Sequence, residues 1–377
     1  MTKIIIVVDT YYPDKTSGSK LISDLIEELI KEHKILLICP RDKLLKNNKK
    51  KNLIIQNIYC GPIKNNNFVI RGFFEIIMPF IIWIKVKKIV KKFNPNLLVC
   101  YSPSIFFNYL CKKITLYTKC KTYLILRDIF PFWVFDVGKI NNFFLKKILI
   151  NYFINFCNRF EKIGVEAKSN IHFLRKNGIK NKIEHLPNWI NYKNFQYKKK
   201  LVKEYYNFIF LGNIGRGQDI KKINKFINTI KNKNFIRFSI CGDGANKYLL
   251  KLNQNSRNLN LEKPVAYKNL LNKMKTINFG IISLKEEIKT VNFPGKILTY
   301  LLTNTPILIL SKKKNELTNF IEQKKIGVRM DNKKNFENVL KNLIKIEKKA
   351  SKDKHYFKKI LKKYFSIIEV KNKILNF

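Results

Sequence analysis

The sequence predicts an α/β protein made of two doubly wound domains, and three observations predict it. From residue 3 onward, apolar runs of strand length alternate with stretches that have helical spacing. Near residue 186 this pattern gives way to a polar, lysine-rich stretch. From residue 208 a second alternation of the same kind begins, which implies a second sheet and a cleft between two domains. A chain of 377 residues, 46% of them apolar, is long enough to bury two cores.

In the first series, KIIIVVD (3–9) is apolar throughout, as a strand covered on both faces of a parallel sheet must be. SKLISDLIEELIKE (19–32) has helical periodicity, and KILLICP (34–40) is the next strand. NLLVCYSP (96–103), KTYLILRDIFP (121–131) and GVEAKS (164–169) continue the series. LPNWINYKNF, then QYKKKLVKEYYN, reads as the exit from this domain and a linker. FIFLGNIG (208–215) and IRFSICGDG (236–244) are each a strand followed by a glycine loop, with the helix KKINKFINTIKN (221–232) between them. INFGIISL (277–284) and PILIL (306–310) are further strands, and two basic helices close the chain. Domain boundaries are expected at 1–190 and 191–355.

A formal charge of +49 points toward anionic partners. Only nine of the 75 basic residues are arginine, and lysine, asparagine and isoleucine are inflated together, as in a chain drifting toward A/T-rich codons. The charge therefore marks a solvated surface first, and an anionic membrane or substrate second. A nucleic-acid-binding protein is the alternative that charge alone supports, but no reader motif accompanies it. Seven single cysteines, none in a C-x-x-C pair, argue for buried thiols in a reducing compartment and against a zinc site. The opening MTKIIIVVDTYYP reads as a first strand rather than a signal peptide, so a cytoplasmic protein is expected. GFFEIIMPFIIWIKVKK (72–88), interrupted by Glu75 and Pro79, is shorter than a spanning helix. It and NNFFLKKILINYFINFCNRFEK (141–162) read either as core helices or as helices lying in a membrane interface, with Trp83 at the boundary.

Ligands bind beyond the carboxyl ends of strands in such sheets. In DTYYPDKTSGSK (9–20), Gly18 between two serines would let backbone N–H groups approach a phosphate; Ser19 as an N-cap and Gly18 as a turn residue are the structural alternative. In LGNIGRGQD (211–219) the glycines Gly212, Gly215 and Gly217 do not fit the dinucleotide fingerprint, and Arg216 could grip a diphosphate bidentately or be an exposed loop arginine. Gly242 opens the second glycine loop. Arg127 and Asp128 end a strand as adjacent opposite charges. Asp128 could orient a hydroxyl and Arg127 an anionic group, or the two could form a structural ion pair. VNFPGKILTYLLTNTPIL (291–308) puts Pro294, Gly295 and Lys296 at the mouth of a helix, a place suited to phosphate unless Lys296 is one more surface lysine.

Taken in order, YYPDKTSGSKLISDLIEELI, YSPSIF, LILRDIFPFWVFDVG, LPNWI, LGNIGRGQDI, ICGDG and NFPGKILTYLLTNTPILIL resemble the family 4 glycosyltransferases of GT-B fold. Within these the chain is similar to the WbuB-like group of O-antigen and capsule assembly, lipopolysaccharide-type enzymes whose namesake is regarded as an N-acetyl-L-fucosamine transferase. The resemblance implies two facing Rossmann-like domains, with the acceptor on the first and the nucleotide-sugar on the second. It also implies that 356–377, with YFKKILKKYF, returns to the first domain. The implied reaction is retaining glycosyl transfer from a nucleotide-sugar, a UDP-sugar before a GDP-sugar, to an undecaprenyl-diphosphate-linked saccharide. That would occur peripherally on the inner face of the cytoplasmic membrane, with no metal and no nucleic acid. Arg216, Lys296 and the N–H groups after Pro294 would then stabilise the departing diphosphate. Two glutamates that many relatives carry fall here on Val291 and Thr299, so Thr299 and backbone contacts would hold the ribose. Asn213 and Gln218 stand where many relatives have Arg and Lys, and no histidine stands near Arg127 where relatives have a catalytic one. A catalytically degenerate paralogue is the further alternative these departures suggest.

Overall fold

The computed structural model describes every residue except 15, 65–66, 103, 193–196, 201–203, 251–257, 332–333, 354 and 377. The described residues form two compact units, Met1–Trp189 with Ile367–Phe377, and Ile190–Ser366. The expected linker at 186–207 lies partly outside the described residues. The break itself falls between Trp189 and Ile190.

The first unit runs β1 (Lys3–Val8), α1 (Ser17–Leu29), β2 (Lys34–Arg41), β3 (Asn48–Lys50), β4 (Leu53–Tyr59), α2 (Phe68–Phe93), β5 (Leu97–Ser102) and α3 (Asn108–Thr118). It continues with β6 (Lys121–Leu126), α4 (Phe132–Asp136), α5 (Phe143–Cys157), β7 (Lys162–Val165), α6 (Lys168–Lys176) and β8 (Lys182–His185). Its sheet has the order β3-β4-β2-β1-β5-β6-β7-β8, parallel apart from β3. β1 is central, with Ile4 opposite Ile35 on one side and Leu97 on the other. Burial on both faces explains why its residues 4–8 are all apolar. Thr16 caps α1 by accepting from the Ser19 N–H at 3.1 Å, so Ser19 is inside the helix rather than its cap.

The second unit runs β9 (Tyr206–Leu211), α7 (Ile220–Ile230), β10 (Ile236–Cys241), β11 (Leu259–Glu262), α8 (Tyr267–Met274) and β12 (Phe279–Ser283). α9 (Lys296–Leu302), β13 (Ile307–Leu310), α10 (Glu316–Gln323), β14 (Gly327–Met330), α11 (Phe336–Lys352) and α12 (Tyr356–Tyr364) complete it. Its sheet has the order β11-β10-β9-β12-β13-β14, and every pairing is parallel. An aromatic core of Phe208, Phe226, Phe238 and Phe336 fills the space between β9, β10, α7 and α11. The last helix, α13 (Ile367–Leu375), belongs to the first unit, where it packs on α1 and Lys371 pairs with Glu32 at 3.0 Å.

The return to the first unit therefore begins at Ile367, not at 356. YFKKILKKYF forms α12, whose apolar residues Phe357 and Leu361 are buried in the second unit beside α9. Two basic amphipathic helices of similar composition adjoin here, and periodicity alone does not say which core each one covers. At Trp83, α2 follows the core-helix reading of 72–88. Pro79 lies inside one continuous 26-residue helix, and Trp83 is a core residue packed near Tyr117 of α3 rather than a boundary residue. All seven cysteines are buried free thiols.

Candidate functional site

In a parallel sheet the strand order reverses direction at one place, and the loops leaving the strands there diverge and leave room for a ligand. In the second unit that place is between β9 and β12, because the chain runs outward through β10 and β11 and then returns to β12. The loop after β9 carries Gly212–Gln218, and the loop after β12 leads to Lys296.

These loops are locked together. Gly212, at φ +96°, donates its N–H to Cys241 at 3.0 Å, and Ile214 donates to Asp243 at 2.8 Å. Gly242 donates to Glu262 at 3.1 Å, and a Cβ on it would lie 2.0 Å from the Gly212 carbonyl oxygen, so only glycine fits. Lys285, after β12, donates to the Gly217 carbonyl at 3.0 Å, and the Ser283 hydroxyl donates to the Asp219 carbonyl at 3.0 Å. Asp219 caps α7 by accepting from the Lys222 N–H. Glu286 is held by Lys222, the Ser311 hydroxyl and the N–H groups of Lys312 and Lys313. Burial alone would raise its pKa, yet these donors bring it down to about 2.

Lys296 is different. Its ammonium lies 3.7 Å from the centroid of Phe210 on β9 and donates to the Gln218 side-chain oxygen at 3.4 Å. Among the described residues no carboxylate forms an ion pair with it. Burial brings its pKa down to about 7. One turn later, the Tyr300 hydroxyl lies 3.1 Å from the carbonyl oxygens of Ile209 and Ile281, which fixes α9 beneath β9 and β12. Gly280 makes room for that ring, since a Cβ there would be 2.5 Å from it. The structure thus sets an ammonium with no ion-pair partner among the described residues beside the Gly212–Gln218 loop.

No family model matches the chain, and no curated protein matches its sequence. Solved structures do match its fold from end to end. Sucrose-phosphate synthase from Thermosynechococcus elongatus superposes with a TM-score of 0.69 at 8% identity, covering 99% of this chain and 97% of that one. WaaG, a glycosyltransferase involved in lipopolysaccharide biosynthesis, gives 0.65 at 10% identity, covering 99% and 100%. The E. coli trehalose-6-phosphate protein bound with UDP-2-fluoro glucose gives 0.60 at 9% identity, covering 98% of each chain. The chain has the GT-B fold.

Within this GT-B chain, Gly212, Asn213, Gly215, Arg216 and Gln218 follow β9 and Pro294, Gly295 and Lys296 follow β12, the two strands at the reversal, while Gly242 follows β10, the neighbour of β9. Arg216 is half-buried, and Asn213 is exposed. α9 is only seven residues long, so the charge offered to an anion comes from the Lys296 ammonium more than from a helix dipole. Thr299 is 8% exposed on the buried face of α9, which leaves it little access to a ribose. Gly18 lies in the first unit, as the second residue of α1.

Arg127 is a strut. Its guanidinium donates to the carbonyls of Leu186 at 2.8 Å and Pro187 at 3.2 Å and lies 5.4 Å from the Trp189 ring. This ties the end of β6 to the chain leaving β8, and it answers the expectation of an anion-gripping arginine with a structural one. Asp128 is exposed at φ +47°, a left-handed conformation that aspartate tolerates better than most residues. Sequence reasoning missed Tyr300 and Gly280, because their partnership joins an aromatic to a missing side chain across two elements.

Proposed function

We propose that the protein is a glycosyltransferase that binds a nucleotide-sugar through its second unit. The observation that carries this reading is the uncompensated Lys296 ammonium beside the Gly212–Gln218 loop. The fold supports it, and so does a neighbour of that fold holding UDP-2-fluoro glucose. Bond cleavage at the anomeric carbon leaves an electron pair on the diphosphate oxygen. Lys296 and Arg216 stabilise that charge without a metal. The donor is a UDP-sugar before a GDP-sugar, transferred with retention to a lipid-linked saccharide such as one on undecaprenyl diphosphate, as in O-antigen or capsule assembly of the WbuB-like type. The test is calorimetric binding of UDP, UDP-sugars and GDP-sugars. Saturable binding of one of them is expected, and no binding of any rejects the reading.

The same reading places the protein on the inner face of the cytoplasmic membrane. No helix among the described residues is long and apolar enough to cross a membrane. α2 instead exposes Phe73, Ile76, Phe80 and Ile84 at helical spacing, and Phe80 stacks on Tyr109 of α3. Phe143, Phe144 and Ile148 of α5 are exposed too, and lysines 85, 87, 88 and 147 accompany these residues. Apolar side chains rimmed by lysine suit an anionic lipid surface. Sedimentation with vesicles containing phosphatidylglycerol should capture the protein, and a Phe73→Ser/Ile84→Ser variant should stay in solution; equal capture of both rejects this face.

A further inference from the structure

Phe210 is the last residue but one of β9, an inner strand of the second sheet, and stands opposite Ile240 of β10 and Ile281 of β12. Its ring is fully buried, yet what lies over it is a cation. The Lys296 Nζ is 3.7 Å from the ring centroid, and its one hydrogen bond among the described residues goes to the Gln218 side-chain oxygen at 3.4 Å. An ammonium drawn out of water gives up its proton unless another group takes the place of water. A carboxylate is the usual group, and none pairs with Lys296 among the described residues. The face of an aromatic ring also attracts a cation, and more strongly away from water than in it.

We propose that Phe210 is a positioning residue of the nucleotide-sugar site, its ring holding the Lys296 ammonium in place and in its charged form. This rests on the glycosyltransferase reading above for its ligand, but not for the state of the lysine. Phe210 touches no ligand. It acts through Lys296, which is only half-buried and so remains within reach of a phosphate. No neighbouring charge takes this part. Asp219 at the start of α7 and Glu286 after β12 are both engaged by Lys222. The two loops add the cations Arg216 and Lys285, and α9 adds the Tyr300 phenol, which burial pushes upward and keeps protonated through neutrality.

The ring gives the site a pH signature. Burial alone brings the Lys296 pKa down to about 7. A ring face favours the ammonium over the neutral amine, so taking it away lowers that value further. A diphosphate is held by the charged lysine, so binding takes up a proton and weakens as pH rises through the Lys296 midpoint. Wild type therefore keeps its affinity to a higher pH than a protein without the ring.

The test replaces Phe210 by leucine (Phe210→Leu) and, keeping its shape, by trifluorophenylalanine, whose fluorines draw electron density from the ring face. The ε-carbon NMR signal of Lys296, told apart from that of Lys199 by its loss in Lys296→Arg, gives the midpoint with no ligand present. Each replacement should lower it by about one pH unit. Binding of the nucleotide-sugar found in the calorimetric screen, whose esterified diphosphate keeps its charge throughout, should weaken about tenfold near pH ~8 and by less than about twofold near pH ~6. An unmoved midpoint in the fluorinated protein overturns the proposal while the glycosyltransferase reading stands. Equal weakening at both pH values makes Phe210 a packing residue and overturns it too. A midpoint that falls as expected, with no nucleotide-sugar bound at any pH, upholds the hold of the ring on Lys296 and rejects the glycosyltransferase reading. Should Phe210→Leu fail to fold, the fluorinated protein carries the test alone.

Discussion

Arg127 at the end of β6 and Lys296 at the start of α9 are both cations that the fold takes largely out of water. They are provided for very differently. The guanidinium meets two carbonyls and an indole face of its own unit. The ammonium meets one amide oxygen and a phenyl ring, and its proton is loosened to about pH 7. Arg127 has acceptors for two of its three nitrogens, its Nε having none, whereas the single nitrogen of Lys296 has one long hydrogen bond. The better-provided cation holds the fold together, and the poorly provided one costs stability.

The comparison breaks if the two substitutions behave alike. Arg127→Ala should destabilise the first unit by about 3 kcal/mol, because it leaves two buried carbonyls without donors. Its affinity for a nucleoside diphosphate should stay within about twofold of wild type. Lys296→Met should show the reverse, weakening binding of UDP about tenfold to a hundredfold. Its stability should match or exceed that of wild type, since a thioether fills the space without a charge. Urea unfolding followed by hydrogen exchange, which resolves the two units, supplies the stabilities, and calorimetry supplies the affinities. Equal loss of UDP affinity in both variants would return Arg127 to the binding machinery.

The smallest effect concerns pH. The folded-state pKa of Lys296, about 7, lies below its usual 10.5, so the unfolded chain binds more protons between those values. Stability of the second unit should therefore rise as pH increases from about 7 toward 10, by at most ~1.4 kcal/mol per pH unit for each such proton. Lys199, buried near Glu347 and also lowered to about 7, contributes with the same sign. Lys296→Met should halve the slope rather than abolish it, and an unchanged slope would show that Lys296 is already solvated.

These contrasts also show what could be read from the sequence. The strands β1, β2, β5, β6, β9, β12 and β13 were legible because parallel strands buried on both faces carry near-continuous apolar runs, and β10, interrupted by Arg237 and Ser239, because a glycine loop follows it. β4 at Leu53–Tyr59, with its alternating burial, was not picked out, and neither were the short strands β8, β11 and β14. The glycine loops and Pro-Gly-Lys were legible as punctuation. The role of Arg127 and the unpartnered oxygen of Asp9 were not. The carbonyls that engage Arg127 lie 59 and 60 residues away in sequence, and nothing in Asp-Thr-Tyr-Tyr-Pro announces that one oxygen will have no donor. Partnership, rather than residue type, separates a strut from a site.

The second unit begins and ends in one place. Ile190 and Ser366 form a parallel bridge, and the Ile190 N–H donates to Phe365 at 3.0 Å. Residues 190–366 are thus topologically an insertion into the first unit, between Trp189 and α13. A chain built this way can be edited as a host and a guest. The guest can be expressed alone, because its termini already meet, and the host can be closed by a short glycine-rich bridge from Trp189 to Ile367.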